Sequence, residues 1–171
     1  YEAILRRSGA RLRYTDAANE NIIVKERFTD TKKAILFAGN YYNEEQRGRV
    51  TYTHPETGES VSFPAYIEEM LWPPLCGVLT PVCMDVAVGL KILHCTSDLL
   101  GISATKNHVS LTLYGDRDLP GEVVFEGVAA ERLEYATIAG RSVEMVRDAG
   151  RIAFVYSHMH GKEFTVDIKI K

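Results

Sequence analysis

The chain has 171 residues, enough to bury one hydrophobic core without disulfides or metals, and its 46% hydrophobic and 25% charged residues exclude a disordered or low-complexity protein. With 20 Lys and Arg against 23 Asp and Glu, the net charge of −3 excludes the basic surface of a nucleic-acid-binding protein. No apolar run reaches the length of about 18 residues that spans a bilayer. We therefore expect one folded domain, residues 1–171, without nucleic-acid or membrane partners.

Apolar and polar residues alternate with a period of two along much of the chain, which predicts half-buried β-strands. The alternation occurs at 50–53, 109–113 and 164–171. Continuous apolar runs, which suit central strands buried on both faces, occur at 22–24, 34–38, 86–93 and 152–156. Turn-forming residues separate these segments at 55–58, 106–107, 115–121, 139–140, 148–150 and 160–162. The pattern predicts an all-β fold, an antiparallel two-sheet β-sandwich.

One segment leaves a strand and a short helix equally open. After Pro64, the residues Ile67, Met70 and Leu71 have the three- and four-residue spacing of a helix, but the prolines at 73–74 would end it within about two turns. No repeat, Ser/Gly-rich linker or charge block marks a domain boundary.

The three cysteines, Cys76, Cys83 and Cys95, include no Cys-x-x-Cys pair, so neither a disulfide framework nor a zinc knuckle is predicted. This usage favours a reducing compartment such as the cytoplasm. All three lie in apolar stretches, where a thiol behaves as a small hydrophobic group rather than as a nucleophile. The chain begins at Tyr1 without a methionine, so we expect a piece excised from a longer protein.

The histidines and acids suggest no catalytic centre. His158 and His160 would project to one face of a strand, as metal ligands do, but their surroundings equally fit a solvated hairpin end. His94 lies in an apolar run and is predicted to be a hydrogen-bonded core histidine. The acidic segment 116–122 could donate oxygens to calcium or form a solvated turn. Nucleophile and phosphate-loop motifs do not occur, so we predict no catalytic residue, no metal ligand and no cofactor.

Several aromatic residues could form a flat platform for a sugar ring, and these are Tyr41, Tyr42, Tyr52, Tyr66 and Trp72. We take Tyr41, Tyr42 and Trp72 as the candidate residues for carbohydrate binding or for an interface. Trp72 stands between Leu71 and two prolines, so it could instead cover the edge of a core or pack on a neighbouring domain.

Three segments in the second half of the chain share a recognisable pattern: Thr-Ser-Asp-Leu-Leu at 96–100, Val-Ser-Leu-Thr-Leu-Tyr-Gly at 109–115 and Gly-Glu-Val-Val-Phe at 121–125. They resemble the β-sandwich accessory domain of family 35 β-galactosidases and related glycoside hydrolases. Residues 71–75 and 78–82 are similar to the segment that precedes this pattern, and 34–42 is similar to a strand ending in asparagine, here Asn40. Asp98 stands where the family more often has glutamate.

The resemblance implies a non-catalytic structural domain that packs against and supports a separate catalytic (β/α)₈ barrel. Because the two catalytic glutamates belong to that barrel, no catalytic residue is carried over to this chain. The partners implied are the catalytic and other domains of the parent chain, with carbohydrate and a second copy of the chain as further candidates. We expect exposed apolar residues near Leu71, Trp72 and Leu75 to form the interface.

Two alternatives remain open. A free-standing carbohydrate-binding module would use Tyr41, Tyr42 or Trp72 to line a groove. A small metal-dependent β-fold enzyme would need His158 and His160 to converge with a third ligand.

Overall fold

The computed structural model describes residues 15–28, 34–54, 57–87, 89–115, 118–159 and 161–171. Among these residues, the only helical element is the 3₁₀ turn Ala130–Arg132, and the rest of the regular structure is strand. The strands are β1 Thr15–Ala17, β2 Ile22–Phe28, β3 Ala34–Asn40, β4 Gln46–Gly48, β5 Val50–Thr53, β6 Ser60–Phe63, β7 Met70–Trp72, β8 Gly77–Ala87, β9 Leu90–Cys95, β10 Asp98–Ala104, β11 His108–Tyr114, β12 Pro120–Glu126, β13 Leu133–Ile138, β14 Arg141–Val143, β15 Val146–Asp148, β16 Arg151–Ser157 and β17 Glu163–Ile170.

The strands form two large and two small sheets. The largest has seven strands in the order β15-β16-β12-β9-β8-β3-β2, and the next has five in the order β10-β11-β17-β13-β14. The small sheets have the orders β1-β5-β6 and β4-β7. Each described strand pair is antiparallel, which confirms the predicted all-β antiparallel sandwich, with two small sheets in addition to the two sheets that were expected.

The first hydrophobic core lies between the five-stranded and seven-stranded sheets. The alternating residues of β17 supply four of its buried side chains, Phe164, Val166, Ile168 and Ile170. This confirms the prediction made from the period-two pattern at 164–171, because one face of a strand can be buried while the other stays in water.

The second core lies on the opposite face of the seven-stranded sheet, against the small sheets. Val124 belongs to this core, while its neighbour Val123 belongs to the first, since successive side chains of a strand point to opposite faces. Ile152 and Ala153 are divided in the same way. Burial on both faces explains the continuous apolar sequence of β16 at 152–154, as predicted, whereas Val155 in the same run is exposed.

The five-stranded sheet covers only part of the seven-stranded sheet. The first core includes no residue of β2 or β3, and those strands contribute to the second core alone. The face of β2, β3 and the start of β8 that points away from the second core is therefore left beside the edge strand β10. We call this surface the ledge, and it consists of Ile23, Lys25, Arg27, Ile35, Phe37, Gly39, Gly77 and Leu79.

Three of the local expectations need correction. The run 22–24 is not a central strand buried on both faces, because β2 is the edge strand of the seven-stranded sheet and Ile23 is exposed. The run 86–93 is not one strand, because β8 ends at Ala87 and β9 begins at Leu90, with Gly89 between them at a φ of 72°. Glycine adopts this left-handed conformation without strain, so the run folds back as a hairpin.

The segment after Pro64 contains no helix: residues 65–69 are neither helix nor strand, whereas Met70 and Leu71 belong to strand β7, as the strand alternative predicted. The turn at 139–140 is confirmed, with Ala139 and Gly140 both at positive φ between β13 and β14.

Candidate functional site

A buried carboxylate, Glu122 of β12, organises the segment 65–67. Its Oε1 accepts a hydrogen bond from the backbone N–H of Ala65 at 2.6 Å, and its Oε2 accepts from those of Tyr66 and Ile67 at 2.8 and 2.9 Å. These N–H groups are therefore bound by a side chain about 56 positions away in sequence rather than by a helical ladder. This explains why the helical spacing at 67–71 does not produce a helix.

His94 of β9 completes the binding of this carboxylate. Its Nε2 lies 2.6 Å from Glu122 Oε1, and because an ionised carboxylate can only accept, Nε2 carries the hydrogen. The imidazole stacks on Phe63 with ring centroids 5.2 Å apart. His94 is thus the hydrogen-bonded core histidine that the sequence predicted.

The hydrogen bonds keep Glu122 charged although it is fully buried. Burial alone would raise the pKa of its carboxyl, but hydrogen bonds from His94 and from the N–H groups of Ala65 and Tyr66 lower that pKa on balance below its ordinary 4.5. Because both oxygens are occupied and no solvent reaches them, Glu122 holds the fold together and is not placed to exchange a proton with a substrate.

A second polar network contains a serine and a histidine in hydrogen-bond contact. His158 Nδ1 lies 2.7 Å from the carbonyl oxygen of Leu119, which can only accept, so this nitrogen carries the hydrogen. Burial lowers the pKa of His158 below its ordinary 6.5, which leaves Nε2 free to accept from the Ser97 hydroxyl at 2.6 Å. The Ser97 oxygen accepts in turn from Tyr156 at 2.7 Å.

In this Ser97–His158 pair the serine hydroxyl donates to a histidine nitrogen, which is the contact that activates a serine nucleophile, but substrate cannot reach the pair. Ser97 has no exposed surface. The imidazole fills the space above Gly115 and Gly121, where added Cβ atoms would lie 1.9 and 2.5 Å from its ring. The expectation that His158 stands at a solvated hairpin end is wrong, because the side chain is buried. Its partner in the metal hypothesis, His160, lies outside the described residues.

The sequence predicts thiols that behave as small hydrophobic groups rather than as nucleophiles. Burial raises the pKa of the Cys83 and Cys95 thiols to about 11, so both are protonated near neutral pH. Among the residues that the structure describes, no group of three or more His, Cys, Asp or Glu side chains is arranged to hold a metal ion.

A small cavity lies next to His158 at the end of the sandwich. Its volume is about 50 Å³, which is room for a few water molecules and not for a sugar ring. The polar side chains in its wall are Thr96, Asp98 and His158, and Trp72 and Pro73 form part of the opposite wall.

The three aromatic candidates are found in different environments. Tyr41 and Tyr42 are adjacent and exposed, with 59% and 51% of their surface accessible. Trp72 is only 2% exposed and packs in the second core. Trp72 therefore cannot offer a ring to a sugar or to another domain, and its assignment as a site residue is wrong. The alternative that Trp72 covers the edge of a core is confirmed, because its strand β7 belongs to a small sheet whose inner face packs in the second core.

Sequence reasoning also missed the ledge. Ile23, Lys25 and Arg27 alternate with more deeply buried residues along β2, so the period-two pattern could have placed them together on one face. The sequence could not indicate that the sheets formed by the described residues leave this face uncovered, because that depends on the width of the sheet opposite.

Comparisons with known proteins add no assignment. No protein-family model matches the chain, and no curated protein sequence matches it either. In the described part of the chain, no helix has the length and apolar character needed to cross a membrane.

Proposed function

We propose that this chain is a non-catalytic β-sandwich domain of a β-galactosidase-like glycoside hydrolase, which packs against and supports a separate catalytic barrel. The observation that carries the proposal is the exposure of Leu75, of which 69% is accessible in the isolated chain. Its backbone N–H donates to the carbonyl of Tyr42 at 3.2 Å, so these two exposed residues lie next to each other at one corner of the molecule. The corner lies in the region for which the resemblance implies an interface.

The backbone of Leu75 supports this interpretation. Its φ of 56° lies in the left-handed region, which costs a residue other than glycine or asparagine about 1–2 kcal/mol. In a free-standing domain, a strained and exposed leucine would reduce stability without compensation. Packed against another domain, the same side chain is buried, and burial of a leucine contributes about 1.5–3 kcal/mol.

The test compares Leu75→Gly in the full-length protein and in this chain alone. Glycine relieves the positive φ and removes the apolar side chain, so the isolated chain should keep its stability or gain up to about 1 kcal/mol. The full-length protein should lose its activity on heating at a lower temperature. The matched control is Val128→Ala, because Val128 is 79% exposed and lies away from this corner. Equal heat inactivation of the Leu75→Gly protein and the unmodified protein would overturn the proposal.

A second candidate function, carbohydrate binding, is favoured by the adjacent exposed rings of Tyr41 and Tyr42. Aromatic rings bind the apolar face of a pyranose while their hydroxyl groups remain in water. Calorimetric titration with neutral galactan tests it, and Tyr42→Ala should abolish the heat of binding. Tyr135→Ala is the control, because Tyr135 is 50% exposed on the five-stranded sheet. No heat with the unmodified chain removes this candidate.

A further inference from the structure

The ledge has an aromatic ring lying on its surface. Phe37 stands on β3 near two glycines, Gly39 two residues farther along the same strand and Gly77 opposite Gly39 on β8. A Cβ added at Gly39 would lie 2.9 Å from the ring of Phe37, and one added at Gly77 would lie 2.7 Å from it. The ring therefore occupies the space that side chains at these positions would fill, and the phenyl group rests on the backbone of the sheet.

A second ring extends this surface. The centroid of the Tyr41 ring lies 6.3 Å from that of Phe37, with the planes inclined by 57°. Leu79 is the cross-strand partner of Phe37 and is exposed. Together these side chains form an apolar area, open on one side, of the kind that the apolar face of a sugar ring covers.

Two cations border the aromatic area. Lys25 is the cross-strand partner of Phe37, and Arg27 is the partner of Ile35, so both lie on the same face as the ring. Cross-strand partners have Cβ atoms about 5 Å apart, so the Lys25 and Phe37 side chains leave the sheet next to each other. Both cations are exposed and form no ion pair with the described residues. Glu26, between them in sequence, accepts a hydrogen bond from Thr15 at 2.9 Å on the other face.

We propose that the ledge binds an acidic sugar, a hexuronate unit of a polysaccharide, whose ring lies on Phe37 and whose carboxylate is held by Lys25 and Arg27. The proposal rests on the second candidate function, carbohydrate binding, and specifies its sugar class and surface. A hydrogen bond between a cation and a carboxylate is stronger than one between neutral groups, and a guanidinium group can bind a carboxylate with two parallel hydrogen bonds. A neutral sugar leaves both cations unused.

The charges also argue against two other occupants. A second copy packed ledge against ledge would bring both pairs of cations together and repel itself. A nucleic acid presents a dense row of phosphates, and the chain as a whole carries a net charge of −3, so only these two cations on the ledge would attract it. A sugar with a single carboxylate fits two cations beside one ring.

The experiment is a calorimetric titration of this chain with polygalacturonate, with neutral galactan as the ligand that lacks the carboxylate. We expect polygalacturonate to bind at least about tenfold more tightly than galactan, because the acid is recognised by charge-assisted hydrogen bonds. Lys25→Gln and Arg27→Gln should each weaken binding about tenfold. Phe37→Leu should weaken it as much, whereas Phe37→Tyr keeps the flat ring and should keep the affinity. Lys162→Gln, which removes an exposed cation outside the ledge, should leave affinity unchanged.

Each other result overturns the inference. The inference is overturned if polygalacturonate does not bind at about 10 mM. It is also overturned if galactan binds as tightly as polygalacturonate. Tighter binding of a single-stranded oligonucleotide, lost in the same variants, would assign the ledge to nucleic acid instead. Galactan binding that depends on Tyr42 but not on Lys25 would preserve carbohydrate binding while removing the acidic-sugar site. None of these results bears on the structural role tested at Leu75.

Discussion

Replacing Glu122 by glutamine removes one charge from the second core without changing the shape of the side chain. The carboxylate accepts four hydrogen bonds, two on Oε1 from Ala65 and His94 and two on Oε2 from Tyr66 and Ile67. An amide offers one accepting oxygen and one NH₂ group that only donates. Whichever way the glutamine is oriented, its NH₂ faces two groups that donated to Glu122.

The expected loss follows from these contacts. A hydrogen bond to a charged group contributes about 1.5–3 kcal/mol, so losing two costs about 3–6 kcal/mol. We expect a decrease in the free energy of unfolding of about 4 kcal/mol, which is a large part of the roughly 5–15 kcal/mol that stabilises a domain. Unfolding of the variant without denaturant would be the extreme form of the same result.

The assay is urea denaturation followed by circular dichroism, with Glu126→Gln as the matched control. Glu126 lies on the same strand, but its ion pairs with Lys91 and Arg151 are partly exposed, so its replacement should cost no more than about 1 kcal/mol. If Glu122→Gln costs no more than the control, the carboxylate does not hold the 65–67 segment, and the explanation given for the missing helix fails with it.

Three further results are expected. Gly115→Ala should lower the free energy of unfolding, measured with urea, by about 3 kcal/mol, because the added Cβ would overlap the His158 ring. In the control Gly101→Ala, the nearest atom to the added Cβ is 3.7 Å away, and the loss should be less than about 1 kcal/mol. Equal losses in the two variants would refute the packing of His158 against Gly115. The pKa of His158 in the folded chain is lowered from 6.5, so the unfolded chain binds this proton first and stability should fall as the pH drops below 6.5. The pKa of the Glu122 carboxyl is also lowered, which adds a second decline in stability below pH 4.5. A urea midpoint that rises on acidification would contradict both directions. Burial raises the pKa of the Cys95 thiol to about 11, so this thiol should not react with a disulfide reagent at pH about 8 until the chain is unfolded. The measurement uses a Cys76→Ser, Cys83→Ser variant, and rapid labelling of the folded variant would show that Cys95 is accessible.

The strands were predictable where a short stretch of sequence carries the whole signal. The alternation at 164–171 depends only on the two-residue repeat of an extended backbone, and β17 follows it. The turn at Ala139 and Gly140 is equally local. The resemblance to glycoside hydrolase accessory domains led to the expectation of a sandwich as well, but its functional content is still a proposal.

The site residues were harder to place because their surroundings come from distant parts of the chain. Trp72 and Tyr42 are both aromatic residues near turns, yet Trp72 is buried in the second core and Tyr42 is exposed. Glu122 accepts hydrogen bonds from the backbone of the 65–67 segment, which lies far from it in sequence. No local pattern distinguishes these outcomes.

The sequence by itself determined that this chain forms antiparallel strands, because side-chain alternation and turn residues act over a few positions. Only the tertiary structure decided which strand faces are covered, that Ser97 is closed to solvent, and that Phe37 lies beside Lys25 on an open ledge. The physical reason is that burial depends on how far one sheet extends over another, and this is set by the packing of layers whose strands are far apart in sequence.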